Sequence, residues 1–149
     1  MSQGQVNHWI HGLTPILQAA LRRLGMTPQR AGQAVEQSSV ATEGGADLLM
    51  DGTERRRQRP TARQKQTDQY SGKKKTHTDK NSVVVTRPST KVAYWSSTQP
   101  GKTHDKKIAD DSAIAYPKNA LLGKDTGFQG YNPAQVLAYQ PKKSQKVVN

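Results

Sequence analysis

A chain of 149 residues is long enough for one ordinary domain, or for a small helical head followed by part of a larger domain. Cysteine is absent, which excludes disulfides and thiolate zinc sites, and no apolar run approaches the roughly 20 residues that span a bilayer. The 23 Lys and Arg residues outnumber the 11 Asp and Glu residues and give a net charge of +12, which favours a nucleic-acid partner. Only 32% of the residues are hydrophobic, so we expect a soluble cytoplasmic protein whose core is present but incomplete.

The first 37 residues have the pattern of a short helical head. Ser2 and Gln5 form a capping-box pattern, so a helix is predicted to begin at the N-terminus. Thr14-Pro15 favours a second helix start, which leaves either two short helices or one kinked helix up to Leu24. Trp9 lies at helical spacing with apolar neighbours, so we assign it to the core.

A weaker helix is predicted over residues 28–37, and residues 38–46, which are small and polar, are predicted to be a linker. The second domain, residues 47–149, begins with the apolar run Leu48-Leu49-Met50, a strand that ends at Asp51-Gly52. Its further predicted elements are a charged surface helix after Pro60, strands over 73–86 and 91–97, a helix over 103–112, and strands over 120–123 and 136–139. The order is therefore β-β-β-α-β, with one more short strand near the end.

Two aspartates each follow a predicted strand and stand next to a glycine. Asp51 is in Asp51-Gly52-Thr53, and Asp125 is in Asp125-Thr126-Gly127. We expect the glycines to let the backbone turn away and leave the carboxylates facing open space. Two such carboxylates are suited to hard divalent cations such as Mg²⁺, and a pair of such cations supports phosphodiester displacement. Turn-forming Asp-Gly pairs without a metal are the alternative, and they are common.

Several short motifs occur in a fixed order along the second domain: Asp51-Gly52-Thr53-Glu54-Arg55, Gln58-Arg59-Pro60, Tyr70-Ser71-Gly72-Lys73-Lys74-Lys75, His77-Thr78, Pro100-Gly101, His104-Asp105-Lys106-Lys107 and Asp125-Thr126-Gly127-Phe128-Gln129-Gly130-Tyr131. Together they resemble the bacterial insertion-sequence transposases related to the Harbinger group, the DDE superfamily endonucleases. The resemblance covers residues 48–143, and residues 1–24 resemble the end of the helix-turn-helix head that precedes this catalytic domain.

The resemblance implies an α/β, RNase H-like fold, incomplete here and preceded by a partial helix-turn-helix. It implies that Asp51 and Asp125 are the first two catalytic carboxylates and hold Mg²⁺ or Mn²⁺. Asp105 is assigned an accessory, metal- or DNA-orienting role, with a helix N-terminal acid as an equal alternative. The implied partner is DNA, at the terminal inverted repeats of an insertion sequence in a bacterial nucleoid, and a homo-oligomer is left open.

Basic residues near the motifs are predicted DNA contacts. They are Arg55, Arg56, Lys73, Lys74, Lys75, His77, His104, Lys106, Lys142 and Lys143. For about half of them the alternative is a solvated charge run on a strand edge. Arg57 and Asp79 stand where the family usually has apolar residues, which would cost free energy if both faced the core.

The third carboxylate of the family has no counterpart, because no acidic residue follows Asp125. We therefore expect little or no strand cleavage by this chain alone. Three hypotheses remain: an inert relic of a truncated element, an enzyme completed by a second chain or reading frame that supplies the missing Glu, and a non-catalytic DNA-binding regulator of transposition.

Overall fold

The structure is a computed structural model that describes residues 1–141, and it is a mixed α/β fold. The helices are α1 (Gln3–Arg23), α2 (Ser39–Thr42), α3 (Arg63–Gln69) and α4 (Asp105–Ser112). The strands are β1 (Asp47–Arg56), β2 (Tyr70–Ser71), β3 (Thr76–Thr86), β4 (Val92–Trp95), β5 (Gln99–Pro100), β6 (Ala120–Lys124) and β7 (Val136–Tyr139). The predicted order of three strands, a helix and a strand is confirmed, with β2 and β5 as small additions.

The strands form one sheet in which β1 is central. Its antiparallel neighbour is β3, whose other edge pairs with β4, β5 and β2 in turn. On the opposite side β1 pairs in parallel with β6, and β6 pairs in parallel with β7. Parallel pairing begins with β6, the first strand after α4. A helix between two parallel strands is the usual β-α-β crossover connection.

The core lies on one face of this sheet. Leu48 and Met50 of β1, Val84 of β3 and Leu122 of β6 are buried there, and Ala109 of α4 belongs to the same cluster. Residues 38–46, predicted to be a linker, contribute Val40, Ala41 and Ala46 to the same core. Over 28–37 the predicted helix is limited to a 3-10 turn at Gly32–Ala34, and Val35 beside it is fully buried.

Strand β1 does not end at Asp51-Gly52, which corrects the sequence-based expectation. It continues to Arg56, because each residue from Leu48 to Arg56 has a partner on β3. The charged residues Glu54, Arg55 and Arg56 therefore belong to this strand, and the charged surface helix predicted after Pro60 is confirmed as α3. Arg57, directly after it, forms an ion pair with Asp79 at 2.8 Å, and both side chains reach solvent. The unusual pair thus avoids the cost of burial in the core.

The head is one continuous helix rather than two. The predicted capping box of Ser2 and Gln5 is present, and α1 runs through Pro15 to Arg23. Thr14 does not cap a second helix, since its hydroxyl donates to the carbonyl of Ile10 at 2.6 Å. Within residues 1–141 no side chain of α1 is buried, and Trp9 is 56% exposed, so its assignment to the core was wrong. No helix in this part of the chain is long and apolar enough to cross a bilayer.

Candidate functional site

The two predicted catalytic aspartates lie side by side on the central parallel strands. Met50 of β1 pairs with Lys124 of β6, and Asp51 and Asp125 are the next residues along each strand. The backbone at Asp125 is still extended, with φ −74° and ψ 165°, so it continues the line of β6. Neighbouring strands are about 4.8 Å apart, so continuation of this register would place the backbones of the two exposed aspartates about one strand spacing apart.

Both aspartates lie on the face of the sheet opposite the core. Side chains alternate along a strand, and the buried set is Leu48 and Met50 on β1 with Leu122 and Lys124 on β6. The other set contains Leu49, Leu121 and the two aspartates. A Cβ on Gly123 would meet Leu49 and the Tyr139 hydroxyl, which places Tyr139 of β7 on this face as well.

We call this second surface the open face: Leu49, Leu121, Leu137 and Tyr139 with Asp51 and Asp125 at its end. Leu121 is 40%, Leu137 66% and Tyr139 42% exposed. No element within residues 1–141 buries them in the way that the residues of the core face are buried. The aspartates therefore stand at the end of an exposed apolar surface.

The loop after β6 is fixed by its own hydrogen bonds. The backbone N–H of Phe128 donates to the carbonyl of Asp125 at 3.0 Å, and Phe128 itself is buried in the core. The Gln140 side-chain amide donates to the same carbonyl at 2.6 Å. On β1, a carboxylate oxygen of Asp51 accepts from the N–H of Gly52 at 2.7 Å. The backbone segments that carry the two carboxylates are thus held in place by packing and hydrogen bonds.

A third aspartate lies against the glycines of both motifs, from the α4 side. A Cβ on Gly52 would come within 3.0 Å of the Asp105 Oδ1 atom, and a Cβ on Gly127 within 2.7 Å of its Oδ2 atom. Gly52 is therefore needed for close approach, not for a turn, because β1 runs straight through it. Oδ1 of Asp105 is buried and accepts no well-aligned hydrogen bond from residues 1–141, but it forms an ion pair with Lys80.

Lys80 of β3 links Asp105 to Glu54. Its ammonium is 3.3 Å from the Asp105 Oδ1 atom and donates to the carbonyl of Thr103, two residues before α4, at 2.9 Å. Glu54 is the cross-strand partner of Lys80 and accepts from the Thr78 hydroxyl at 2.6 Å. Burial raises the pKa of Glu54, but hydrogen bonds from hydroxyl groups and the charges of nearby lysines outweigh it and hold this pKa below its ordinary value.

Lys124 is a buried cation directly before Asp125. Its ammonium donates to the carbonyl of Tyr131 and to the side-chain oxygen of Asn132. Burial lowers its pKa. These bonds tie β6 to the loop that follows Phe128, so Lys124 positions the start of the loop that carries Asp125.

Residues 50–148 match the DDE superfamily endonuclease family. The chain belongs to this family. The matched region contains Asp51, Asp105 and Asp125, together with every strand after the first residues of β1. No curated protein and no solved structure matches the chain.

The predicted DNA contacts of this DDE family member lie in three places. Arg55 is on the same side of β1 as Asp51 and donates to Asn81 at 3.0 Å, whereas Arg56 is on the other side. The second group surrounds the turn between β2 and β3, and the third is at the start of α4, where Lys106 pairs with Asp110 at 2.5 Å. They are Lys73, Lys74, Lys75 and His77 in the turn and beside it, and His104 and Lys106 at α4. Lys142 and Lys143 lie outside the described residues.

The donor atoms of the site suit a hard cation but are few. Carboxylate oxygens are the ligands that Mg²⁺ and Mn²⁺ prefer, and Asp51 and Asp125 supply them. Among residues 1–141 no group of three or more His, Asp or Glu side chains is arranged to hold a metal ion. Two carboxylates alone leave most of an octahedral coordination shell to other groups.

Sequence reasoning missed Lys80, Lys124 and Thr78, which organise the site from within. Each is largely or fully buried although its residue type is usually exposed. The alternation of side chains along β3 and β6 could have indicated them, because each lies an even number of residues from a core residue of its strand and therefore on the same face. The motif search singled out aspartates at strand ends and runs of basic residues, and these three residues belong to neither group.

Proposed function

We propose that this chain is the metal-binding part of a DDE-type transposase that cleaves and joins DNA at the ends of an insertion sequence. One observation carries the proposal. Asp51 and Asp125 directly follow Met50 and Lys124, the last paired residues of the adjacent parallel strands β1 and β6, in a chain that belongs to the DDE superfamily endonucleases. Asp105, on the α4 side, has the accessory role of fixing the backbone at Gly52 and Gly127.

The sheet supports an RNase H-like assignment at the level of strand order. In that fold the first catalytic aspartate is on the central first strand and the second directly follows the fourth. Here β1 is central and carries Asp51, and Asp125 follows β6, the fourth strand if the two-residue β2 and β5 are left out. In the same proposal α1, which has no acidic residue and ends in Arg22 and Arg23, belongs to a helix-turn-helix head.

The proposed cofactor is Mg²⁺ or Mn²⁺ held by Asp51 and Asp125. A divalent ion bound there would lower the pKa of an attacking water or hydroxyl and stabilise charge on the leaving oxygen. The protein's own part is to hold two carboxylates on adjacent strands, and to bring phosphates to them with basic residues. Arg55, on the same side of β1 as Asp51, is placed for that task.

The third carboxylate is proposed to come from outside residues 1–141. The open face supports this idea, since both aspartates lie at its end and its apolar side chains are exposed. A helix with an apolar stripe and a glutamate could cover Leu121 and Leu137 and bring its carboxylate beside Asp51. The chain by itself is then expected to bind metal weakly and to cleave poorly.

Metal binding is the most direct test, because it does not require cleavage. Mn²⁺ binding to the full chain would be followed by electron paramagnetic resonance, with and without duplex DNA. Asp51→Asn and Asp125→Asn should each weaken binding by about tenfold or more, since each removes a charged ligand. Asp111→Asn is the matched control, an exposed aspartate that pairs with Lys107 on α4. Equal Mn²⁺ affinity in all four proteins would show that the aspartates are not a metal site.

Cleavage is tested separately with a supercoiled plasmid that carries the element ends. A Mg²⁺-dependent nick that disappears in Asp51→Asn would establish the endonuclease. The second candidate function, a DNA-binding regulator without catalysis, is favoured by the net charge of +12 and by the absence of a third ligand within residues 1–141. Salt-dependent binding to the inverted repeats, with no nicking in Mg²⁺ or Mn²⁺, would support it.

A further inference from the structure

A cavity of about 720 Å³ opens between α3, β2 and the loop before α4, away from the aspartates on the open face. Its volume is within the range of about 300–1,000 Å³ that small-molecule sites occupy. The described residues that line it are Arg59, Gln66, Thr67, Tyr70, Gly72, His77 and Lys102. None of these is acidic, and two are permanent cations, so the cavity favours an anionic ligand.

An aromatic pair forms one wall of the cavity. Tyr70 of β2 and His77 of β3 are direct cross-strand partners, and their ring centroids are 5.7 Å apart at an interplanar angle of 75°. Tyr70 is 45% exposed. Beside it, a Cβ on Gly72 would meet nothing within 4 Å, so this side of the cavity is open. A flat ring that enters the cavity could stack on the exposed part of Tyr70.

Polar groups at the rim are already held in place. The Arg59 guanidinium donates twice to the side-chain oxygen of Gln66, at 3.2 and 2.8 Å, and Gln66 donates to the carbonyl of Thr61. Lys102 is fixed through its backbone, whose N–H donates to the carbonyl of Asp68 at 3.1 Å. Its ammonium forms no ion pair with any residue in the range 1–141. Arg59 and Lys102 therefore offer two cations at the rim for the phosphates of a bound strand.

We infer that this cavity binds one unpaired nucleobase of a DNA strand, stacked on Tyr70, with the flanking phosphates on Arg59 and Lys102. An aromatic platform with nearby cations and hydrogen-bonding amides is the combination that recognises single-stranded nucleic acid. A paired base inside a duplex cannot enter, because its ring faces are covered by its neighbours. The inference rests on the proposed function for its DNA substrate, but the chemistry of the cavity is independent of the metal site.

The loop before α4 leads from this cavity to Asp105. Lys102 lines the cavity, Thr103 accepts from Lys80, and Asp105 two residues later lies against Gly52 and Gly127. A second, smaller cavity of about 300 Å³ shares Lys102 and is also lined by His104, Lys107 and the acidic Asp68. A strand that left the first cavity in this direction would pass Lys102 and Lys107 on its way to the start of α4.

Fluorescence anisotropy with the full chain tests the inference without metal or cleavage. The probes are a labelled single-stranded oligonucleotide and a blunt duplex of the same sequence. Tyr70→Ala should weaken binding of the single strand by about tenfold, the usual effect of removing one stacking platform, and leave duplex binding within about twofold. Tyr70→Phe should behave as the unmodified chain. Tyr139→Ala, which removes an aromatic side chain of similar exposure on the open face, is the matched control.

Two further variants keep the test decisive if Tyr70→Ala is unstable. Tyr70→Leu retains apolar contact with His77 but loses the aromatic face, and should also weaken single-strand binding. Lys102→Gln should weaken it about threefold and reduce its salt dependence, whereas Lys118→Gln, in an exposed turn, should not. Unchanged single-strand affinity in the Tyr70 and Lys102 variants would overturn the inference, and so would an equal loss for duplex and single strand.

A free mononucleotide distinguishes the source of the base. If adenosine or thymidine monophosphate displaces the oligonucleotide when the two are present at equal concentrations, the cavity is a mononucleotide site and the inference about DNA fails. If the mononucleotide competes only weakly, the strand is the ligand. A chain that neither binds Mn²⁺ nor nicks DNA, but still loses single-strand affinity in Tyr70→Ala, would disprove the proposed function and leave the base site standing.

Discussion

The two faces of the central sheet differ in what they contribute. On the core face, Leu48, Met50 and Leu122 are buried in the hydrophobic core and carry the packing of the fold. On the open face, Leu49 is half-buried and Leu121 is exposed, and Asp51 and Asp125 lie there. One strand therefore serves both purposes through its two-residue alternation. Of two neighbouring positions on β1, a substitution on the core face should lower stability, whereas a substitution of Asp51 on the open face should weaken metal binding.

The largest effect is expected from a pair of leucines on the two faces. Leu48→Ala should lower the free energy of unfolding by about 2–5 kcal/mol, because Leu48 is fully buried and its removal leaves a cavity. Leu121→Ala, on the neighbouring strand and 40% exposed, should cost about 1 kcal/mol or less. Urea denaturation of both variants measures the difference. Similar losses would mean that the open face is covered in solution.

The contact between Asp105 and the glycines should give the next largest effect. Gly127→Ala places a Cβ within 2.7 Å of the Asp105 carboxylate and should cost about 1–3 kcal/mol through overpacking. Asp105→Ala in the same chain should recover part of that loss. A double-mutant cycle by urea denaturation would then show coupling of at least about 0.5 kcal/mol. Gly72→Ala, with nothing near its Cβ, is the control, and purely additive losses would disprove the contact.

Glu54 on the core side should give a smaller, pH-dependent effect. Because its pKa in the folded state is below the ordinary value of 4.5, its stabilisation is present above the unfolded-state pKa and is lost as pH falls through the lower folded-state pKa. Glu54→Gln should therefore lower the melting temperature at neutral pH and reduce the difference from the unmodified chain in acid. Calorimetry from pH 7 to about pH 3 tests the sign. A difference that stayed constant with pH would contradict it.

The smallest effect on stability is expected at the aspartates themselves. Asp51→Asn should change the free energy of unfolding by no more than about 0.5 kcal/mol, because Asp51 is exposed and contacts only its own neighbour. Removing its charge beside Asp125 could even stabilise the fold slightly. The same variant should lose metal binding. A large loss of stability would instead assign Asp51 a structural role and would weaken the comparison between the two faces.

Local patterns in the sequence predicted those elements that depend on local chemistry. The strand Val136–Tyr139 was predicted with its exact bounds, and α4 began two residues later than expected, at Asp105. The extension of β1 through Arg55 could not be predicted, because pairing with β3 overrides the low strand propensity of a charge run. The family assignment is confirmed by the match over residues 50–148. The roles of Asp51 and Asp125 stay predictions.

The position of Asp105 was the main surprise at the site. Its neighbours in sequence indicate a helix start, which the structure confirms, but nothing in them indicates contact with two glycines that are more than twenty residues away in opposite directions along the chain. The assignment of Trp9 to the core was wrong for a related reason. An apolar stripe shows that a helix has a face to bury, and only the rest of the fold decides whether anything lies against it.

The fit of one carboxylate between two glycines also restricts how this sequence can change over time. An added Cβ at Gly52 or Gly127 would press on the Asp105 carboxylate, so a substitution at either glycine requires that side chain to shift and is disfavoured until the aspartate has been replaced by a smaller residue. The three positions should therefore vary together among descendants of this gene. In a lineage that lost Asp105 first, both glycines could then be substituted. A phylogenetic tree of such sequences would show the order of these changes.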